Sequence, residues 1–129
     1  KQTIFRALLD LSARRLLEVL TARGGASFLA VIKDFGPQGI GVLSFPRPGI
    51  TLALDVPVRD DTQDLVDDLN EQVLREGGRI YLSKDAFTRA EHFRAMEPRL
   101  PEFSRIRDRW DPNRRFRSAQ SVRILGDAR

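Results

Sequence analysis

Two glycine pairs, Gly24-Gly25 and Gly77-Gly78, constrain this chain most, because each follows a stretch of helical periodicity and forces the backbone out of it. Glycine enters the left-handed conformation that ends a helix without steric cost, so a pair of them after an amphipathic run is a stop signal. Before the first pair, Leu8, Leu9, Leu11, Leu16, Leu17, Val19 and Leu20 recur at mostly helical spacing across 7–22. Before the second, Leu65, Val66, Leu69, Val73 and Leu74 form one apolar stripe. Asp61 or Thr62 stands at the N-cap of that stripe, and acidic side chains fill its first turn, where the helix dipole favours them.

Around these helices the pattern turns to that of strands. Residues 2–5 read as a short strand, and 27–35 carries Phe28, Leu29, Val31 and Ile32 before the loop chemistry of Gly36-Pro37-Gln38-Gly39-Ile40-Gly41. A third strand is predicted over 50–58, after Pro46, Pro48 and Gly49 and losing its ladder near Pro57. After Gly78, Ile80 and Leu82 alternate with Arg79 and Tyr81, giving a fourth strand over 79–82. The order strand, helix, strand, strand, helix, strand predicts an α+β fold. It is an antiparallel sheet with helices on one face, in ferredoxin-like order, followed by C-terminal helices over 86–96 and 98–109 and a polar, Arg-rich end.

Composition narrows the chemistry. The chain has 129 residues, no cysteine and a single histidine, His92, so disulfides, thiolate nucleophiles and Cys- or His-rich metal sites are excluded. His92 reads as a surface or interface residue. No apolar run approaches the roughly 18 residues of a membrane span, and the start lacks a signal-peptide pattern, which gives the expectation of a cytoplasmic protein, at most peripheral to the membrane. The first residue is Lys1, not Met, with a strand almost at once, so the sequence is expected to begin inside a longer protein. Net charge is +4 but unevenly placed: Asp60, Asp61, Asp64, Asp67 and Asp68 crowd the middle, and arginines crowd the end from Arg99 onward. That asymmetry points to a partner surface or to another domain of the same protein.

The segment with most chemical content is Gly77 to Asp85, which places Tyr81, Lys84 and Asp85 at the end of a short strand. Lys84 would lie near the strand's edge, where its ammonium reaches into a cleft. Together with Phe28-Leu29-Ala30-Val31-Ile32-Lys33, Phe35-Gly36, Leu43-Ser44-Phe45-Pro46, Leu54-Asp55, Asp111-Pro112 and Phe116, this segment resembles the C-terminal part of FAD-linked oxidases of the vanillyl-alcohol oxidase type. The resemblance covers essentially the whole chain. It implies that 1–78 is part of a substrate-binding cap domain and that 79–129 is a closing segment returning to an FAD-binding domain absent from this sequence. It further implies FAD as cofactor, bound mainly by that other domain, and oxidation of a secondary alcohol of a sugar or lipid-linked sugar by hydride transfer.

By the same resemblance Lys84 and Tyr81 are the catalytic candidates, and Gln2, Val31, Lys33, Thr51 and Ala53 face the substrate and flavin. The pattern departs from the family at Thr51 and Ala53, where an Asn and a Cys are familiar. Expected partners are the FAD-binding domain and a sugar-type small molecule, with no nucleic acid, and the isolated segment is expected to be inactive and to expose apolar surface that favours self-association. Trp110 is expected to anchor a helix end against the other domain. The rival reading is a ferredoxin-like nucleic-acid or small-ligand binding module without catalysis. It draws on the basic tail, but no strand carries the aromatic trio of an RNA-stacking sheet.

Overall fold

The computed structural model describes residues 2–7, 10–24 and 29–128, with side chains from Ala13 onward. Its elements run β1 (Gln2–Ala7), α1 (Asp10–Ala22), β2 (Ala30–Phe35), β3 (Gly49–Asp55), α2 (Thr62–Arg75), β4 (Arg79–Ile80), a 3-10 turn (Leu82–Lys84), α3 (Ala90–Met96), α4 (Leu100–Trp110) and α5 (Ala119–Leu125). The four strands make one sheet in the order β2-β3-β1-β4, every neighbouring pair antiparallel. The expected strand and helix order is therefore the observed one.

Because side chains alternate across a strand, β3 serves both faces of the sheet. Leu52 and Leu54 turn to one side, where they join Leu16 and Leu20 of α1, Leu65, Leu69 and Val73 of α2, and Ile80 of β4 in the core. Thr51 and Ala53 turn to the other side and are buried as well. A sheet with a single covered face would leave those two in water, so something else must lie over them. Burying a leucine of the core face completely contributes about 1.5–3 kcal/mol, and Leu54 and Leu69 are both fully enclosed.

The second glycine pair works as the sequence predicts. Gly77 sits at φ 63° and donates its N–H to the Leu74 carbonyl at 3.0 Å, while Gly78 donates to the Val73 carbonyl at 2.7 Å. These two bonds satisfy the last carbonyls of α2 and turn the chain straight into β4. Gly24, at φ 66°, ends α1 in the same conformation, and its neighbour Gly25 lies outside the described residues.

Three expectations are corrected. The fourth strand stops at Ile80 rather than Leu82, so Lys84 stands on a 3-10 turn and not at a strand's edge. The helix expected from Ala86 starts only at Ala90, and α5 occupies part of the polar, Arg-rich end, for which no helix is predicted. One cause underlies all three. Asp85 accepts the N–H groups of Phe87 and Thr88 at 3.2 and 2.9 Å and a 2.7 Å ion pair from Arg123, while Gln120 donates to the Leu82 carbonyl at 2.5 Å. The last helix thus bends the chain at 81–88 through bonds spanning more than 30 positions. Its own start carries a reciprocal Ser118–Ser121 cap and its end the left-handed Gly126.

The burial difference sets a simple test. Leu69→Ala should destabilise the protein by about 2–5 kcal/mol in urea unfolding followed by circular dichroism, whereas Ile40→Ala, at a fully exposed position, should shift it by less than about 0.5 kcal/mol.

Candidate functional site

The side of the sheet away from α1 and α2 carries a cavity of about 380 Å³. Its floor is Val31 and Lys33 of β2 and Thr51 and Ala53 of β3. These positions meet directly in the register, with Val31 opposite Ala53 and Lys33 opposite Thr51. Its wall comes from the long β2–β3 connection and from the end of β4. Phe35 meets Phe45 edge-on at 5.9 Å between centroids, and Phe45 meets Tyr81 at 5.0 Å, so three rings from three parts of the chain form one apolar side. Leu82 and Ser83 of the 3-10 turn border it, and Phe93 and Glu97 reach it from α3 and the residue that follows.

A polar corner fixes this wall in place. The Ser44 carbonyl accepts from Arg99 at 2.9 Å and from Arg79 at 3.4 Å, and Arg47 donates to the Gly77 carbonyl. Glu97 balances the corner: Arg99 meets its carboxylate with both ends of the guanidinium fork, at 2.7 and 2.6 Å, and adds its own backbone N–H at 3.1 Å. Arg79 stays further off, 3.9 Å from the same carboxylate. Burial alone would raise the Glu97 carboxyl, but the hydrogen bonds from Arg99 and the charges of Arg79 and Arg99 outweigh it and hold the group below the ordinary carboxylate range. Burial pulls the Arg79 guanidinium below its usual value, with Glu97 opposing and the Arg99 and Arg47 charges adding to the fall.

The residues singled out from the sequence distribute as follows. Val31, Lys33, Thr51, Ala53 and Tyr81 all line this one cavity. Lys84 does not line it: it is exposed on the turn beside Ser83, and among the described residues no carboxylate pairs with it. Gln2 pairs with Asp55 in the ladder, and its side chain lies outside the described residues. Sequence reasoning missed Phe35, Phe45, Arg79, Phe93 and Glu97 as parts of a site. Phe35 and Phe45 had a usable signal, two aromatics flanking a glycine-rich loop, while Glu97 had none.

Thr51 differs from its neighbours in one respect. Its hydroxyl is buried in the cavity floor and has no hydrogen-bond partner among the described residues. A buried hydroxyl without a partner costs about 1–3 kcal/mol, which a molecule in the cavity would recover by bonding to it.

The Arg-rich end is committed mostly to structure. Arg107 grips Asp127 at 2.9 and 2.5 Å and thereby holds that carboxyl below its usual range, Arg114 pairs with Asp108, and Arg117 donates to the Ala128 carbonyl at 3.1 Å. Asp111 accepts the N–H groups of Arg115 and Phe116 at 2.7 and 3.0 Å. Trp110 and Phe116 nevertheless stand 78% and 82% exposed. His92 is partly buried, with Nδ1 3.6 Å from Asp67, and no metal-holding cluster occurs among the described residues.

No family model matches the chain. It is 44% identical over 101 residues to the decaprenylphosphoryl-β-D-ribose oxidase of Mycolicibacterium smegmatis, a match that takes in 78% of this chain and 22% of that protein. It is also 36% identical over 112 residues to an "Uncharacterized protein in mprA 5'region" of Streptomyces coelicolor, covering 86% of this chain and 30% of that one. The chain thus spans less than a third of the length of either relative. The resemblance read from its motifs is present along most of its length: the chain is similar to part of that oxidase.

Glu97 makes the polar corner sensitive to pH. Its folded value is lowered, so its contribution to stability is complete above the ordinary glutamate value of about 4.3 and is lost as the pH falls through the lower folded value. Glu97→Gln should therefore cost about 2 kcal/mol at pH 7. That is below the usual range for breaking a buried pair, because Arg99 keeps some access to water. In melting curves recorded from pH 7 down to pH 3, the gap between the variant and the parent should be constant down to about pH 5 and narrow toward the acid end.

Proposed function

We propose that this chain is the C-terminal part of an FAD-dependent oxidoreductase. The whole protein would oxidise a secondary alcohol of a sugar or lipid-linked sugar by hydride transfer to the flavin. The observation that carries this reading is the convergence of Val31, Lys33, Thr51, Ala53 and Tyr81 on one cavity, on the sheet face that the helices leave open. These are positions that the family resemblance assigns to the substrate and flavin side, and the similarity to an oxidase over 78% of the chain supports the same reaction class. In this reading 1–78 belongs to the cap over the reacting centre, and 79–129 returns to the FAD-binding domain of the same protein.

The residues present suit the reacting end of a flavin and not its dinucleotide tail. An apolar wall and an unpartnered buried hydroxyl fit a flat, hydrogen-bonding ring or the sugar beside it. The glycine-rich loop at 36–41 leads into β3 and not into a helix N-terminus, so it lacks the helix end that cradles a pyrophosphate. When bound, the flavin supplies the hydride acceptor. This chain's part is orientation, exclusion of water and charge. Phe35, Phe45 and Tyr81 keep one side of the cavity dry, which strengthens every electrostatic interaction inside it. The Thr51 hydroxyl orients whatever occupies the floor, and Lys33, exposed on the floor strand, brings an ammonium to the cavity's edge. Lys84 supplies a second ammonium from the bordering turn, and a positive charge held near a site of developing negative charge lowers the barrier.

Full-length protein titrated anaerobically with a lipid-linked pentose should lose its flavin absorbance near 450 nm (about that wavelength for any oxidised flavin), and an unchanged spectrum would reject the oxidase reading. In that protein Lys84→Ala should lower the rate of flavin reduction at least about tenfold at an unchanged melting temperature. A reduction rate equal to the parent's rejects a part for the Lys84 ammonium in the reaction. Thr51→Val, which deletes only the unpartnered hydroxyl, should leave stability unchanged or raise it by up to about 1 kcal/mol while raising KM about tenfold.

A further inference from the structure

We propose that Arg79, backed by Arg99 and Arg47, forms an anion subsite at one end of the cavity and takes a phosphoryl oxygen of the substrate. This rests on the oxidase reading and adds to it the part of the substrate that the polar corner recognises.

The first support is a surplus of charge. Three guanidinium groups, Arg47, Arg79 and Arg99, share this corner with the Glu97 carboxylate. Arg99 alone satisfies that carboxylate, meeting both oxygens at 2.7 and 2.6 Å. Arg79, 3.9 Å from it, is left without a close counter-charge although its side chain is only 10% exposed. A buried cation that the ion pair does not need is a standing cost, since leaving water is expensive for a charge without a partner.

The second support is unused donors. Arg79 Nε, Arg47 Nε and Arg99 Nη1 are buried and have no hydrogen-bond partner among the described residues, and the side-chain bond that Arg79 makes there, to the Ser44 carbonyl, is long at 3.4 Å. A guanidinium presents its N–H groups as a planar fork that matches the oxygens of a phosphate, and such bonds are among the strongest available to a side chain. The third support is position. Arg79 lines the same cavity as Thr51 and Tyr81, so a molecule on the apolar floor reaches it without leaving the site. The substrate in the relative's name carries a phosphoryl group between a long lipid and a sugar, and an anion of that kind supplies the missing counter-charge.

The test uses full-length flavoprotein and two probes, a ribose joined to farnesol through a phosphate and the same ribose joined through an ether. Arg79→Met should raise KM for the phosphate-linked probe at least about tenfold, with kcat within about twofold, and leave the ether-linked probe unchanged. Arg79→Lys, which keeps the charge and loses the fork, should fall between the two. Equal effects on both probes, or none on either, overturn the subsite. Calorimetric titration with farnesyl phosphate separates this result from the fate of the oxidase reading. If neither probe is oxidised, the oxidase reading fails, and an affinity for farnesyl phosphate at least about tenfold weaker in Arg79→Met still upholds the subsite, whereas equal affinity rejects it. Should Arg79→Met melt early, Arg79→Lys carries the comparison by the same criterion, a KM rise confined to the phosphate-linked probe.

Discussion

The candidate site depends on one carbonyl oxygen. Ser44 lies in the middle of the connection between β2 and β3, and its carbonyl is held chiefly by Arg99, from just before α4, at 2.9 Å, with Arg79 of β4 further off at 3.4 Å. Without the grip of Arg99, residues 36–48 would be a solvated excursion, the glycine- and proline-rich loop that their composition describes. With it, Phe45 is carried over the sheet to bridge Phe35 and Tyr81, and Thr51 and Ala53 become a floor instead of a wetted surface. Glu97 permits this by holding Arg99 in a bidentate geometry in which Nη2 donates both to the Glu97 carboxylate and to the Ser44 carbonyl. A polar corner of this kind stabilises little in net terms, because dehydrating the charges offsets most of their attraction. Its value is in fixing a loop to a sheet.

The same sheet therefore divides its work by face. Toward α1 and α2 it presents leucines that fit any sandwich of this layout. Away from them it presents a threonine, an alanine, a valine and a lysine, whose mixture makes no sense as a core and good sense as the lining of a binding site. The strand alternation that puts Leu52 and Leu54 in the core is what commits Thr51 and Ala53 to the cavity. A one-residue slip of β3 would exchange the two sets and lose both core and site.

How much of this was legible beforehand follows the range of the interactions. The glycine stops, the helical stripes and the strand order all depend on neighbours within about a dozen positions, and they were readable. The floor of the cavity was readable only through the family resemblance, since nothing in the alternation of Thr51 and Ala53 distinguishes a cavity from a solvated face. Arg79 and Glu97 were not readable as a pair, because 18 positions and two changes of direction separate them. Lys84 was misplaced for the same reason. Alternation extended the strand to Leu82, and the bonds that stop it come from residues 120 and 123.

That misplacement has a physical consequence for the site. The turn carrying Lys84 is short, and its own bonds, Lys84 N–H to Tyr81 at 3.1 Å and Asp85 N–H to Leu82 at 3.3 Å, are those of a weak 3-10 element. Its position is instead set by α5, which holds the Leu82 carbonyl through Gln120 on one side and the fully enclosed Asp85 carboxylate through Arg123 on the other. Lys84, exposed between those two anchors, pairs with no carboxylate among the described residues and is fixed at its backbone. In the reaction proposed above, a charge that meets developing negative charge is held this way, with the stem's origin determined by packing. The final helix, which touches none of the cavity's floor, thereby decides where that charge stands.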